Sequence, residues 1–156
     1  KCVMSGKKGW KNLDVSVSLD NVKLLALDSN IFIYYFNHTP KFGEASKRIF
    51  NKLTVRQFSA ITSEIVTIEL FSYSFLSKKD IKEMDRQLLD IPNLEFISID
   101  HRLALEASRI RRKYGFRLPD SIYLATAIFG KADAFVTNEE KLKKFKDLKI
   151  ILLKDI

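Results

Sequence analysis

Cysteine is all but missing from this 156-residue chain: Cys2 stands alone, so no intramolecular disulfide and no cysteine-based zinc site can form. Histidine is nearly as scarce, and His38 and His101 do not have the spacing of a metal motif. The five glycines are scattered and form no phosphate-cradling loop, which argues against a nucleoside triphosphatase. The longest apolar runs, such as KIILL at 149–153, are far too short to span a bilayer. Residues 1–10 are polar and basic, without the apolar core that a secretory signal needs. These absences make a reducing cytoplasm the expected home. No internal repeat or low-complexity tract is present.

What the chain does have is an apolar fraction of 46% and a charged fraction of 29%, the balance of a soluble globular protein long enough for one proper core. The formal net charge is +8. Such a field suits a polyanionic partner, and nucleic acid is expected ahead of an anionic membrane surface. Residues 1–22 lack a sustained period, although VSVSL is compatible with a short strand. They read as a leader, with Met4 an internal candidate start and no catalytic role. The folded domain is expected over 23–156.

From Lys23 onward strand-like and helix-like runs alternate. KLLAL (23–27), FSAIT (58–62), LEFISI (94–99), AFVT (134–137) and KIILL (149–153) read as strands. Helices are expected over 31–36, over 42–53, from Ser63 through Leu76, over 78–90, 101–115 and 119–130, and as a short piece over 138–147. Uniformly apolar strands alternating with helices indicate an α/β domain with a mainly parallel sheet. In such sheets ligands bind beyond the carboxyl ends of the strands, which gives each acidic residue a positional test.

Four acids pass or approach that test. Asp28 follows the first strand directly, Glu69 lies in the helix after the second, Asp120 opens its helix beside Pro119, and Glu139 follows AFVT by two residues. Each has an ordinary explanation. Asp is favoured as a helix N-cap, and acids at a helix start suit the dipole. Glu69 is the hardest to dismiss, because it interrupts the apolar run IVTIELF, where a carboxylate needs a partner or a task. Gathered carboxylates repel one another unless a cation neutralises them. Hard oxygen donors without His or Cys point to Mg²⁺, with Mn²⁺ as a substitute, and such an ion can activate water against a phosphodiester.

The order LALDSNIFIYYF, ITSEIVTIELFS, LPDSIYLATA and ADAFVTNEEKL closely resembles the PIN-domain ribonucleases, nearest to the VapC-type toxins of toxin–antitoxin pairs. The resemblance runs from about Leu24 to Leu153. It implies a three-layer α/β/α sandwich and a metal-dependent endoribonuclease that leaves a 5′-phosphate and a 3′-hydroxyl. It also implies a small antitoxin protein as partner, and a homodimer. Asp28, Glu69 and Asp120 match the family's first three acids and are the expected metal ligands. The family usually places Asp two residues after the threonine of its VTN-like motif, where this chain has Glu139. Glu139 takes that catalytic role with a longer arm, or Asn138 holds a water; either alternative bears on the number of metals. Ser29 and Thr137 are expected to support a ligand carboxylate or a metal-bound water. Asp133 precedes the fourth strand and stands at its wrong end.

Arg102, Arg109, Arg111, Arg112, Lys113 and Arg117 crowd the segment before Asp120. A solvated helix face and an RNA-phosphate contact explain them equally well; Arg109, Arg112, Lys113 and Arg117 are the expected RNA contacts. Lys141, Lys143, Lys144 and Lys146 read as solvated surface, and Tyr34, Tyr35 and Phe36 as core or dimer contacts rather than base-stacking rings. Two other nuclease-related readings stay open. One is a catalytically weak PIN fold that binds RNA or protein, and the other is a housekeeping RNA-processing nuclease. A haloacid-dehalogenase phosphatase fails, because Asn30 stands where such an enzyme needs a second Asp.

Overall fold

A computed structural model describes Leu19 and residues 21–156. Of the leader strand expected at VSVSL, only Leu19 lies within that range, and it is buried against the core. Among the described residues five strands form one all-parallel sheet: β1 (Leu24–Leu27), β2 (Ser59–Ser63), β3 (Leu94–Ile97), β4 (Ala134–Thr137) and β5 (Lys149–Leu152), in the spatial order β3-β2-β1-β4-β5. The α-helices of the described residues are α1 (Ser29–Phe36), α2 (Phe42–Thr54), α3 (Ile65–Phe71), α4 (Lys78–Leu89), α5 (His101–Tyr114) and α6 (Leu118–Phe129).

The central strands explain the sandwich. In β4 all of Ala134, Phe135, Val136 and Thr137 are buried, and in β1 so are Leu25, Ala26 and Leu27. Side chains alternate between sheet faces, so burial of every residue requires cover on both. α1 packs with α2 and α3, while α6 packs with α5 and across β1 and β2. Local signals agree with these boundaries. Asp100 caps α5 by accepting from the Leu103 amide at 2.8 Å, and Gly115 ends it with φ of 70°, the left-handed geometry that glycine adopts without a Cβ penalty. Ser77 and Asp80 form a reciprocal capping box on α4.

Two expected helices are shorter than the pattern suggested. α3 stops at Phe71 rather than running to Leu76; the Ser72 hydroxyl donates to the Ile68 carbonyl at 2.5 Å, and serines that bond the local backbone weaken helix continuation. Ile68 is also 64% exposed, so Glu69 does not sit in a uniformly buried helix. The expected helix over 138–147 is a 3-10 helix confined to Glu140–Lys144. The parallel strands β4 and β5 are neighbours, and the short link between them buries Leu142 and Phe145, whose spacing of three matches the 3-10 period.

Candidate active site

The sheet changes winding direction at β1. The chain moves from β1 to β2 on one side and later returns to place β4 on the other. Because β1 and β4 are parallel and in register, with Leu27 opposite Val136, their carboxyl ends open on the same edge, at the topological switch point. Asp28 and Thr137 stand there.

Asp28 occupies the N-cap position of α1, yet its side chain makes no capping hydrogen bond. Its carboxylate instead accepts from Thr137 Oγ1 at 2.5 Å, from Ser29 Oγ at 3.3 Å and from Asn30 Nδ2 at 3.3 Å. The group is only 3% exposed. Burial pushes its pKa up from the ordinary 3.8 to about 6; the Thr137 hydroxyl opposes that rise, and the negative fields of Asp120 and Glu69 add to it. The capping explanation therefore fails for Asp28. The Thr137 hydroxyl also accepts from the Glu139 amide at 3.0 Å, so one side chain aligns both strand ends.

Asp120 lies in the first turn of α6, with Pro119 beside it where a missing N–H costs nothing. Its carboxylate is 4% exposed and faces two cations. Arg117 engages both oxygens, Nε to Oδ2 at 3.1 Å and Nη2 to Oδ1 at 3.2 Å, and Lys141 Nζ lies 2.9 Å from Oδ2. The same cations approach Glu139, Lys141 at 3.5 Å and Arg117 at 3.7 Å. Glu69 accepts from the Tyr123 hydroxyl at 2.8 Å. Burial, reinforced by the charge of Glu69, drives the Tyr123 pKa upward, so that hydroxyl stays a donor and fixes one Glu69 oxygen.

Asp28, Glu69 and Asp120 thus share one electrostatic neighbourhood, and Glu139 joins Asp120 through Lys141 and Arg117. Among the described residues no three acid, His or Cys side chains already converge on a single ion-sized point. Hydroxyls and cations stand between the carboxylates instead. Asn138 donates to the Tyr34 hydroxyl at 3.1 Å. Asp133 accepts from the amides of Lys23 and Leu24 at 2.8 and 2.9 Å, tying down the opposite end of β1 as its position suggested.

The basic helix is divided in its commitments. Arg109 pairs with Glu106 at 2.6 Å and with Asp147 at 3.3 Å, and Lys113 reaches Asp147 at 3.9 Å. Arg111 and Arg112 are exposed. Tyr35 packs edge-on against Phe50 and Tyr34 stacks on Phe42, which agrees with a core role for those rings. Two functional candidates escaped sequence reasoning. Lys141, expected at the solvated surface, faces Asp120; its signal was its place two residues beyond Glu139. Tyr123 follows Asp120 by three residues, hence on the same helix face, with a polar tip among apolar neighbours.

The chain matches the PIN domain family over residues 25–148. It belongs to that family. A comparison with curated protein sequences found no match. Among solved structures, this PIN domain is similar to a toxin–antitoxin complex from Klebsiella pneumoniae, with 20% identity and a TM-score of 0.61 over 86% of this chain and 99% of the other. It is likewise similar to VapBC2 from Rickettsia felis bound to a promoter DNA fragment, with 22% identity and a TM-score of 0.65 over 83% and 98% of the two chains. DNA-bound VapBC from Salmonella typhimurium gives 20% identity and a TM-score of 0.62 over 85% and 98%. At these identities the likeness establishes the fold, which is that of VapC-type PIN domains.

Proposed function

We propose that this PIN domain is a metal-dependent endoribonuclease and acts as the toxin of a toxin–antitoxin pair. The observation that carries the reading is the buried carboxylate of Asp28 at the switch point, held under the fields of Asp120 and Glu69. A site that gathers negative charge away from water is built for a cation. All the donors are hard oxygens, so the residues fit Mg²⁺ or Mn²⁺. Asp28, Asp120 and Glu69 would hold the ion, with Glu139 beside them. Bound there, it would supply a water of lowered pKa and positive charge opposite a phosphodiester.

The chain's own residues do the positioning. Thr137 and Ser29 fix the Asp28 oxygens, and Tyr123 fixes Glu69. Arg117 has a side chain 63% exposed and can turn from Asp120 toward a phosphate of the incoming strand; Arg112 is exposed and free to meet another. Arg109 and Lys113 would contribute more distant field than contact, since acids already pair them. Exposed Ile68, Tyr73 and Phe75, on α3 and the loop that follows it, support a protein partner, here read as an antitoxin or a second copy. Among the described residues no helix is long and apolar enough to cross a membrane, and the cytoplasm is the proposed location.

The test is incubation of purified protein with single-stranded and folded RNA in Mn²⁺, with and without excess EDTA. Cleavage that leaves 5′-phosphate ends and stops with EDTA is expected. Binding of RNA without cleavage in Mn²⁺ would favour the non-cutting PIN reading, for which the cations on Asp120 are the specific support.

A further inference from the structure

Four carboxylates line the sheet edge, and they are not treated alike. Asp28 and Glu69 are held by uncharged donors, the hydroxyls of Ser29, Thr137 and Tyr123 and the amide of Asn30. Asp120 and Glu139 are held by charged ones. Of the two cations, Lys141 is the better anchored. It projects from the 3-10 helix whose Leu142, the next residue, is fully buried, and whose end is pinned by buried Phe145. Its side chain is 38% exposed, against 63% for Arg117. Its ammonium lies 2.9 Å from one carboxylate and 3.5 Å from the other, the bridging position that a small cation would take between two acids.

We infer that Lys141 is a built-in cation of the active site, standing between Asp120 and Glu139 in place of a second divalent ion, so that the site binds one divalent ion per chain. The inference rests on the metal-dependent nuclease reading. Charge supports it. Four carboxylates against Lys141 and Arg117 leave two negative charges, which a single divalent ion cancels; a second would leave the pocket positive while both cations stay. Glu139 fits the same picture, since its longer side chain reaches a lysine ammonium on the neighbouring 3-10 turn. Lys141 is a positioning residue here: it holds Asp120 and Glu139 together and acts on the reacting groups through them.

Mn²⁺ stoichiometry, measured by titration calorimetry and equilibrium dialysis at pH 7.5, tests this without relying on turnover. The wild-type chain is expected to bind one Mn²⁺, Lys141→Met two, and Lys141→Arg, which keeps the charge, one. Lys141 is partly exposed, so all three proteins are expected to fold, and circular dichroism checks that. Two Mn²⁺ in the wild type, or one in Lys141→Met with unchanged affinity, would overturn the role of Lys141 and leave the metal site standing. No Mn²⁺ bound by any of the three would overturn the metal-dependent reading and this inference with it.

Discussion

Replacing Asp28 by Asn should make the metal-free protein more stable. Asp28 titrates near 6 in the fold against an ordinary 3.8, and a rise of about two units corresponds to about 3 kcal/mol of differential stability. The sign follows from linkage. The folded state prefers the protonated acid, so the penalty is absent below the unfolded pKa. It grows as the pH rises from the unfolded pKa to the folded one, and is fully present at neutrality. Asn is uncharged and keeps an oxygen where Thr137 and Asn30 both donate, but its amide nitrogen then meets the Ser29 hydroxyl that donates to the other oxygen, so a net gain of about 2 kcal/mol is expected. For a chain of this size that raises Tm by about 4–8 °C. Thermal unfolding in EDTA at pH 7.5 measures it. The wild type should also lose stability between about pH 4 and pH 6.5 through this group, and Asp28→Asn should lack that component. Saturating Mg²⁺ should reverse the ranking, since an ion bound to the fold stabilises it by mass action. An Asp28→Asn protein less stable than wild type in EDTA at pH 7.5 would refute the claim that burial strains this carboxylate.

Three further outcomes follow from the same geometry. Thr137→Val removes the donor at 2.5 Å from Asp28; it should cost about 1–3 kcal/mol and shift the onset of Mn²⁺ binding to higher pH, as read by calorimetry across a pH series. Tyr123→Phe frees Glu69 from its hydroxyl partner; Mn²⁺ affinity should fall several-fold at a stability cost of about 1 kcal/mol, and unchanged affinity would remove Tyr123 from the site. Gly115→Ala places a Cβ on a residue with φ of 70°, and chemical denaturation should show a loss of about 1 kcal/mol with Mn²⁺ binding intact.

Much of the fold could be read from the residues because the central strands are apolar on both faces. KLLAL and AFVT announce burial from above and below, and the all-parallel sheet follows from helices between them. The acids directly after β1 and at the start of α6 were legible for the same reason: their place along the chain fixes their place on the sheet edge. Glu69 was less so. Its neighbour Ile68 is apolar yet exposed, so the apolar run around it overstated its burial, and a serine bonded to the backbone ended α3 early. Lys141 was invisible to composition. A lysine in the run KLKK reads as solvated, and only the 3-10 turn, imposed by the short β4–β5 link, brings its ammonium to Asp120. The basic residues of α5 show the opposite failure: helical spacing grouped them, but Glu106 and Asp147, which neutralise Arg109 and Lys113, come partly from a distant loop.

Asp28 and Asp120 are proposed to make together a metal-dependent ribonuclease centre. Its most direct test is RNA cleavage in Mn²⁺ by wild type, Asp28→Asn and Asp120→Asn, each first shown to be folded by circular dichroism. Cutting by the wild type is expected, with a loss of at least about 100-fold in each variant, on the scale seen when charge stabilisation of a transition state is removed. Cleavage that persists in both folded variants, or a wild type that binds RNA and never cuts it, would contradict that proposal.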